Sequence, residues 1–439
     1  MSEGRKMRWG DLATLKYGKR LRGYENVEAH YRVYGTDGPI GWHHEPLCNH
    51  PTVIVGRKGA YRGIHYSPEP CFVIDTAFYL EPRVEFDMRW AYYELLNRDI
   101  NSMDSGSAIP STSREAFYQL PVAVPSIEEQ RAIAHILGTL DDKIELNRRM
   151  NETLEAIARA IFKSWFLDFD PVIDNALKVG NTIPSELEEK AARRREVLAR
   201  TRAEGHPAGL PEPLAKLFPD EFEERELGWI PKGWRVGTLR EVVNLVKDGV
   251  NPLDTPDAEF LHFSIPAFDE GVMPKRERGE AIKSFKFRVP AGAVLLSKLN
   301  PEIKRVWLVD ISDNDRAICS TEFLVLLAQP PFTKSFVYCL VQSSNFRREL
   351  EGLVTGTSKS HQRAQPEAVL SIATVLPERP LLAAFERIVA PMLETTLIKK
   401  RESYTLAALR DTLLPKLISG ELRVSSRIIR DFEVLPKQV

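Results

Sequence analysis

The sequence predicts an α+β protein in which two mixed α/β domains are separated by two long, antiparallel coiled-coil helices, arranged as a tandem pseudo-symmetric repeat. Three observations support this class: two β-rich stretches, two long helical stretches with heptad spacing, and a similarity between the halves of the chain. A chain of 439 residues is long enough for two or three domains. The predicted segments are a first mixed domain (1–125), a first long helix (126–170), a linker (171–227), a second mixed domain (228–377), a second long helix (378–424) and a tail (425–439).

The composition excludes several classes of protein. With 43% hydrophobic and 28% charged residues, the chain has an ordinary globular composition, which argues against a largely disordered protein or a fibre. No apolar run approaches the roughly 18 residues that span a bilayer, and no secretory signal is evident, so we expect a cytoplasmic protein with reduced thiols and no membrane contact. The net charge of −1 excludes a wholly basic surface, so any contact with nucleic acid must come from local patches.

The first mixed domain contains short β-rich runs between Gly and Pro turns. PTVIVGR (51–57) and CFVIDTAFYL (71–80) are examples, and both are typical of short strands.

The first long helix has clear signals at both ends. Ser126 and Glu129 form the S-x-x-E pattern of a capping box, which satisfies the first free amides of a helix. From Ser126 to about Asp168 there is no Pro and only one Gly, Gly138, and Asp170-Pro171 then ends the pattern. About 40 helical residues give a rod of roughly 60 Å, too long to be buried within one small domain.

Residues spaced alternately by four and three form a predicted helix-pair seam along this helix. The seam is apolar at both ends and polar at its centre, where Asn147 and Asn151 are expected to fix the register at some cost in stability. Its members are Ile133, Leu137, Leu140, Ile144, Asn147, Asn151, Leu154, Ala158, Ile161 and Trp165.

The second half of the chain repeats this pattern. A charged and then Pro/Gly-rich linker carries one predicted solvated helix (185–203) and leads to a second β-rich block and a second long helix, from about Pro380 to Ser419. When Ile133 is aligned with Phe385, the second seam is again polar at its centre, although Arg410 interrupts one apolar end. Its principal members are Phe385, Val389, Met392, Leu406, Leu413 and Leu417.

The sequence carries no recognisable catalytic or cofactor-binding motif. It lacks G-x-G, the GxxxxGK[ST] phosphate loop, the Asn/Asp-Pro-Pro-aromatic tetrapeptide of amino-methyltransferases and a nuclease carboxylate–lysine cluster. His43, His44, Cys48 and His50 are ligand types that zinc accepts, but their spacing matches no common zinc site, so a polar loop with one buried cysteine is favoured over a metal. We therefore expect a binding protein without a metal or a cofactor of its own.

Basic loops and polar turns occur at matching positions of the two halves. Any single cation among them is as well explained by a solvated surface, but the set as a whole favours contact with DNA, because cations contact phosphates and polar side chains contact base edges. The candidate DNA-binding residues are Lys16, Lys19, Arg20, Arg22, Arg57, Lys58, Ser107, Arg114, Lys298, Asn300, Lys304, Arg305, Lys359, His361 and Arg363.

Three stretches together resemble one family. Residues 120–172, LPVAVPSIEEQRAIAHILGTLDDKIELNRRMNETLEAIARAIFKSWFLDFDPV, are similar to the central conserved region of the DNA-specificity subunit of type I restriction–modification systems. Residues 217–239 resemble the start of the family's second target-recognition domain, and residues 409–424 resemble its second conserved region. The second helix departs from the pattern, because PERPLLAAF (377–385) replaces the EQ-containing start.

The resemblance implies a non-catalytic subunit in which each target-recognition domain reads one half of a bipartite, asymmetric site in double-stranded DNA. It implies that the two helices set the gap and dock two methyltransferase subunits, which bind S-adenosylmethionine and modify adenine. It also implies that translocase–endonuclease subunits complete the restriction enzyme.

Two alternatives remain open on the sequence alone. One is a scaffold that joins two identical protein partners through its helices, with domains that recognise protein. The other, weaker alternative is an enzyme with unrecognised chemistry.

Overall fold

The structure is a computed structural model, and it describes residues 5–25, 27–103, 110–312, 314–355 and 362–425. Their contacts group into two compact units. Unit 1 comprises the residues up to Leu146 together with those from Glu402 onwards, and unit 2 comprises Asn147–Arg401. Each long helix therefore contributes one part of its length to each unit.

Unit 1 begins with a β-rich domain and continues into the first long helix. The bounds are β1 Arg5–Arg8, α1 Trp9–Leu12, β2 Ala13–Tyr17, β3 Tyr31–Gly35, β4 Gly38–His43, β5 Thr52–Gly56, β6 Ile64–Ser67, β7 Phe72–Val73, β8 Ala77–Pro82, α2 Met88–Leu96, α3 Arg114–Gln119, β9 Pro121–Val124 and α4 Ile127–Phe166.

The main sheet of unit 1 is antiparallel, with strand order β2-β8-β5-β6. A second sheet, β4-β3-β7, contains one parallel pair, and β1 pairs with β9. The core is built around Trp9 and Trp90, whose rings lie 6.4 Å apart. The Trp9 indole donates a hydrogen bond of 2.8 Å to the buried Glu94, so the polar edge of the ring is satisfied inside the core.

The unit 1 parts of the two long helices close this core. The Ser126 hydroxyl accepts a hydrogen bond of 3.3 Å from the Glu129 amide, as a helix cap does. Ile133 and Leu137 then pack in the same buried cluster as residues from the end of the second long helix.

Unit 2 holds the remaining elements. The bounds are α5 Asp170–Val179, α6 Glu188–Ala203, α7 Glu212–Ala215, β10 Phe222–Arg225, β11 Gly228–Pro231, β12 Arg235–Thr238, α8 Leu239–Val242, β13 Val243–Val246, β14 Gly249–Val250, β15 Glu259–Phe263, α9 Ile265–Gly271, β16 Lys275–Arg278, β17 Lys286–Arg288, β18 Val294–Ser297, β19 Val306–Leu308, β20 Ala317–Ser320, β21 Phe323–Ala328, α10 Lys334–Gln342, α11 Ser344–Gly352, β22 Val354–Thr355, β23 Arg363–Ala364, α12 Pro366–Leu370, β24 Ala373–Leu376 and α13 Arg379–Ser419.

The sheets of unit 2 repeat those of unit 1. The sheet β13-β21-β18-β19 has the strand order and antiparallel pairing of β2-β8-β5-β6, and β12 pairs with β24 as β1 pairs with β9. The larger sheet β14-β17-β20-β15-β16 again contains one parallel pair, between β15 and β20. The tandem repeat seen in the sequence is thus a repeat of the strand topology.

An aromatic cluster fastens the two long helices together within unit 2. The Phe385 ring of α13 lies 5.2 Å from that of Phe166 and 5.9 Å from that of Phe162, both on α4. Phe336 of α10 lies 5.3 Å from both α4 rings, so the domain helix joins the same cluster. Edge-to-face pairs of this kind add to the free energy gained by burying the rings.

The two helices run antiparallel. In unit 1 the start of α4 and the end of α13 share one buried cluster, which includes Ile133 and Leu417, whereas in unit 2 the end of α4 shares a cluster with the start of α13. Every residue of the predicted seams is buried or partly buried. The predicted α+β class, with two β-rich domains and two long antiparallel helices packed together, is confirmed.

Arg410 interrupts the second seam because it is ion-paired. Its guanidinium donates a hydrogen bond of 2.7 Å to Asp141 of α4, which also accepts one of 2.5 Å from the Tyr93 hydroxyl of α2. Burial disfavours the charge of Arg410, but the bonds to Asp141 and Asp411 outweigh it and raise the Arg410 pKa. A polar link thus replaces an apolar contact at this point of the seam.

The segment predicted as a linker is more ordered than the sequence suggested. Helix α6 corresponds to the predicted solvated helix, but it buries Ala191 and Leu198. Helix α5 was not predicted, and it buries Val172, Ile173 and Ala176. A bidentate pair between Arg194 and Asp174 joins the two helices. Among the described residues, no helix combines the length and apolar character that crossing a membrane requires.

Phe385→Ala tests the aromatic cluster. Because the Phe385 ring is fully buried among other rings, we expect the substitution to lower the free energy of unfolding by about 3–5 kcal/mol. Ile398→Ala, on the exposed face of the same helix, is the matched control and should change it by less than about 1 kcal/mol. Urea denaturation of both variants measures this, and equal losses would contradict the assigned role of the cluster.

Candidate nucleic-acid interface

In unit 1, the hairpin loop between β5 and β6 is held against the segment that leads into α3. The Gly59 amide donates a hydrogen bond of 3.0 Å to the Pro110 carbonyl, and the Thr112 amide donates one of 2.9 Å to the Arg57 carbonyl. Gly59 has φ of 124°, a conformation that glycine adopts without strain. We call this loop, residues 57–63, hairpin loop 1.

Unit 2 has an equivalent loop between β18 and β19. The Asn300 amide donates a hydrogen bond of 2.8 Å to the Gln362 carbonyl, and the Ala364 amide donates one of 3.0 Å to the Lys298 carbonyl. Asn300 also has a positive φ, 46°, which asparagine tolerates better than most residues. We call this loop, residues 298–305, hairpin loop 2. In each unit the structure therefore brings together two loops that the sequence had predicted as candidates.

Two arginines of unit 1 are arranged around one tyrosine. The Arg57 guanidinium lies 4.8 Å from the centre of the Tyr17 ring, and that of Arg114 lies 4.9 Å from the same ring. Arg114 also donates a hydrogen bond of 3.0 Å to the Tyr118 hydroxyl, which raises the pKa of Arg114. Within the described part of the chain, no carboxylate lies within 4.0 Å of either guanidinium. Among the described residues, this cluster is a positive site without a carboxylate partner.

Four further candidates of unit 1 lie beside this cluster in the chain. Lys16 is near the end of β2, and Lys19, Arg20 and Arg22 follow in the next loop; all four are exposed. Lys58 is partly exposed and pairs through its backbone with Ser111. None of these five cations forms an ion pair with a described carboxylate, so they are accessible to phosphates.

In unit 2, two of the candidate arginines are paired with carboxylates. Arg305 is buried, and its guanidinium forms a bidentate pair with Asp269 at 2.7 and 2.8 Å. Nε and Nη2 are therefore used inside the domain, and the contact of Arg305 with DNA stays a prediction. Arg363 is held by Glu322 in a similar bidentate pair, with distances of 3.0–3.2 Å.

The remaining candidates of unit 2 are Lys298, Asn300 and Lys304. Lys304 is exposed, Lys298 and Asn300 are partly exposed, and no described carboxylate lies within 4.0 Å of either lysine. Ser107, Lys359 and His361 lie outside the described residues. Hairpin loop 2 thus has two cations without a described carboxylate partner, Lys298 and Lys304, as hairpin loop 1 has Arg57 and Lys58.

The histidine and cysteine stretch of unit 1 forms hydrogen bonds within the domain. The Cys48 sulfur lies 3.5 Å from His50 Nε2, which lies 3.4 Å from Glu81. The hydrogen bond from the Cys71 thiol outweighs burial and lowers the pKa of Cys48 to about 6. Among the described residues, no three histidine, cysteine or carboxylate side chains are grouped as a metal ion would require. Cys48 is buried, as expected for the one cysteine of this loop, and Cys71, from another part of the chain, is buried as well.

Sequence reasoning missed the residues that hold the hairpin loops. Asn101 accepts from Arg62, and Asp269 accepts from Arg305, but these partners are 39 and 36 residues apart in the chain. Neither Asn101 nor Asp269 belongs to a motif, so no local signal could have identified them.

Comparison with known proteins identifies the family. Residues 2–156 match the family described as the type I restriction modification DNA specificity domain. Over 340 residues the chain is 26% identical to the type I restriction enzyme HindI specificity subunit of Haemophilus influenzae. The aligned region covers 71% of each protein. The chain belongs to the type I restriction–modification specificity subunits.

Further similarities extend along this specificity subunit. It is 21% identical over 406 residues to the MjaVIII specificity subunit of Methanocaldococcus jannaschii, covering 87% of this chain and 81% of that one. A crystal structure of the S subunit from M. genitalium shares the fold, with a TM-score of 0.56 at 15% identity, covering 94% of this chain and 96% of that chain. The predicted family and function are confirmed: the chain is the non-catalytic DNA-specificity subunit of a type I restriction–modification system.

Replacing Arg57 and Lys58 by alanine tests hairpin loop 1. Because each phosphate contact releases counterions, the double variant should weaken DNA binding and reduce the slope of log K against log salt by about 2. Titrations at several salt concentrations measure both quantities.

The matched control replaces Lys216 and Arg225, which are exposed and paired with Glu212 and Glu223. It should leave the affinity and slope unchanged. An Arg57/Lys58 variant that behaves like this control would remove hairpin loop 1 from the interface.

Proposed function

We propose that each unit of this specificity subunit recognises one half of a bipartite, asymmetric site in double-stranded DNA. The observation that carries the proposal is the recurrence of one loop arrangement in both units. Each arrangement consists of a hairpin loop with free cations, fastened to the segment that enters a short helix. The two loops differ in sequence, RKGAYRG against KLNPEIKR, so the two half-sites should differ as well.

Free cations and paired cations would have separate roles in this recognition. Arg57, Arg114 and Lys298 would neutralise phosphates and fix the register of the protein on the duplex, which carries no sequence information by itself. Arg305 and Arg363 would hold the backbone that presents the loops. Base identity would be read by side chains near the tips of the loops.

We further propose that α4 and α13 set the gap between the half-sites and dock two methyltransferase subunits. Leu146, Met150 and Ile157 of α4 are exposed apolar residues, and their spacing of four and seven residues puts them on one helical face away from the seam. On α13, Ile398, Tyr404 and Leu409 are exposed as well. Aromatic and aliphatic side chains of this kind are what a partner surface buries.

The chemistry would come from these partners. The methyltransferase subunits would bind S-adenosylmethionine and transfer its methyl group to adenine, and translocase–endonuclease subunits would act on unmodified sites. This chain would recognise the DNA sequence and would bind no cofactor. This division of roles between the subunits fits a sequence that lacks a glycine-rich cofactor loop and the Asn/Asp-Pro-Pro-aromatic tetrapeptide of amino-methyltransferases.

Mapping adenine methylation tests the proposal. Genomic DNA from hosts with the gene intact and deleted is compared, with the methyltransferase gene present in both. The expected result is that one motif, split into two different half-sequences by a fixed gap, is methylated only with the gene intact. A continuous motif, or no motif that depends on the gene, would contradict the proposal and favour the protein scaffold.

Footprinting then assigns the halves. Hydroxyl-radical footprints are compared for the wild-type complex, Arg57→Ala and Lys298→Ala, which alter equivalent positions of hairpin loops 1 and 2. Each variant should lose protection over a different half of the motif. Loss over the same half by both variants would contradict the assignment of one unit to each half-site.

A further inference from the structure

Each hairpin loop carries one large apolar side chain near its tip. Tyr61 of loop 1 is 84% exposed, and Ile303 of loop 2 is 42% exposed. The last backbone hydrogen bond of each hairpin before the loop lies at an equivalent point. In hairpin loop 1 the Gly56 amide donates to the Gly63 carbonyl, and in hairpin loop 2 the Ser297 amide donates to the Arg305 carbonyl. Tyr61 and Ile303 each stand two residues before the residue whose carbonyl accepts this bond, so they are equivalent in the repeat.

The backbone beneath both tips is held by buried arginines. The Arg62 guanidinium donates to the carbonyls of Asn101 at 2.7 Å and Gly59 at 3.1 Å. Arg305 is bound to Asp269, as described above. Because these arginine hydrogen bonds fix the backbone of each loop to its domain, the tip is directed outwards and does not fold back over apolar neighbours.

The exposure of Tyr61 contributes nothing to folding. Burying a large apolar side chain is favourable, whereas Tyr61 has no hydrogen bond from its hydroxyl, ring stack or cation contact among the described residues. One exposed large apolar residue would need no explanation. Two at equivalent positions, on fastened loops in both repeats, point to a shared contact with a ligand.

The surroundings of the tips indicate which ligand. Arg57 and Lys58 precede Tyr61 in hairpin loop 1, whereas Lys298 and Lys304 stand before and after Ile303 in hairpin loop 2, all without a described carboxylate partner. Cations close to an apolar tip suit a DNA groove, in which phosphates line the walls and stacked bases form the floor. A protein surface would not offer this combination as regularly in both units.

Resting on the proposed DNA recognition, we propose that Tyr61 and Ile303 are wedges that press between adjacent base pairs, one in each half-site. Apolar side chains that enter a duplex in this way partly unstack a base step and kink the DNA. Pyrimidine–purine steps deform most easily, so each half-site should favour such a step where its wedge sits. These two residues would thus contribute to specificity without a hydrogen bond to a base.

The test uses 2-aminopurine, whose fluorescence rises when it is unstacked, placed at successive positions of the methylated motif. The complex of the full chain with its methyltransferase subunits is the protein sample. We expect a rise of several-fold at one step in each half. Tyr61→Ala should abolish the rise in one half only, and Ile303→Ala in the other only, each with roughly tenfold weaker binding.

Three further variants serve as controls. Tyr61→Phe keeps the ring and should keep the rise, so its loss would overturn the wedge in favour of a hydroxyl contact. Val84→Ala and Leu227→Ala remove exposed apolar residues elsewhere in units 1 and 2 and should change nothing. Since Tyr61 and Ile303 are solvent-exposed, the melting temperature of their variants should equal that of the wild type.

The outcomes separate the wedge from the proposed function. No rise in either half, or a rise that both alanine variants retain, overturns the wedge while a split motif still stands. Failure of the alanine variants to assemble with the methyltransferase, with the rise intact in whatever complex forms, assigns the tips to a protein contact and also overturns the wedge. Absence of any split motif would overturn the proposed function first.

Discussion

The antiparallel packing of α4 against α13 is the constraint on which the other features depend. Within unit 2 the contact is a cluster of aromatic rings around Phe385, and within unit 1 it is an aliphatic core completed by the Asp141–Arg410 pair. Each β-rich domain adds its own residues to the contact in its unit, Phe336 in one and Tyr93 in the other. The helix pair is therefore part of each domain core.

The cations of this specificity subunit fall into two groups with different physical roles. Arg305, Arg410 and Arg194 are each bound to a carboxylate, and their side chains are mostly buried, so removing that carboxylate would leave a poorly hydrated charge. Arg57, Arg114 and Lys298 have no such partner among the described residues. The first group positions backbone, and the second remains available for phosphates. Net charge near zero is compatible with DNA recognition because the free cations are local.

The sequence predicted those features that depend on residues close together in the chain. The helices and their seam follow from a period of a few residues, and the loops follow from strand ends next to Gly and Lys/Arg. What it could not predict depends on contacts across the fold. Arg305 is indistinguishable from Lys304 until Asp269, 36 residues away, is seen to bind it. Likewise the sequence predicted a linker with α6 as a solvated helix and without α5, because only packing shows which of their few apolar residues are buried.

The central claim is that the helix pair measures the gap between two half-sites. Its most direct test removes one heptad from each helix, residues 144–150 and 400–406, which keeps the seam in phase and shortens the pair by about 10 Å. Methylation mapping of that variant should return the same two half-sequences with the gap shorter by about three base pairs, at 3.4 Å per base pair. An unchanged gap, or altered half-sequences, in a variant that still folds and methylates would contradict the account.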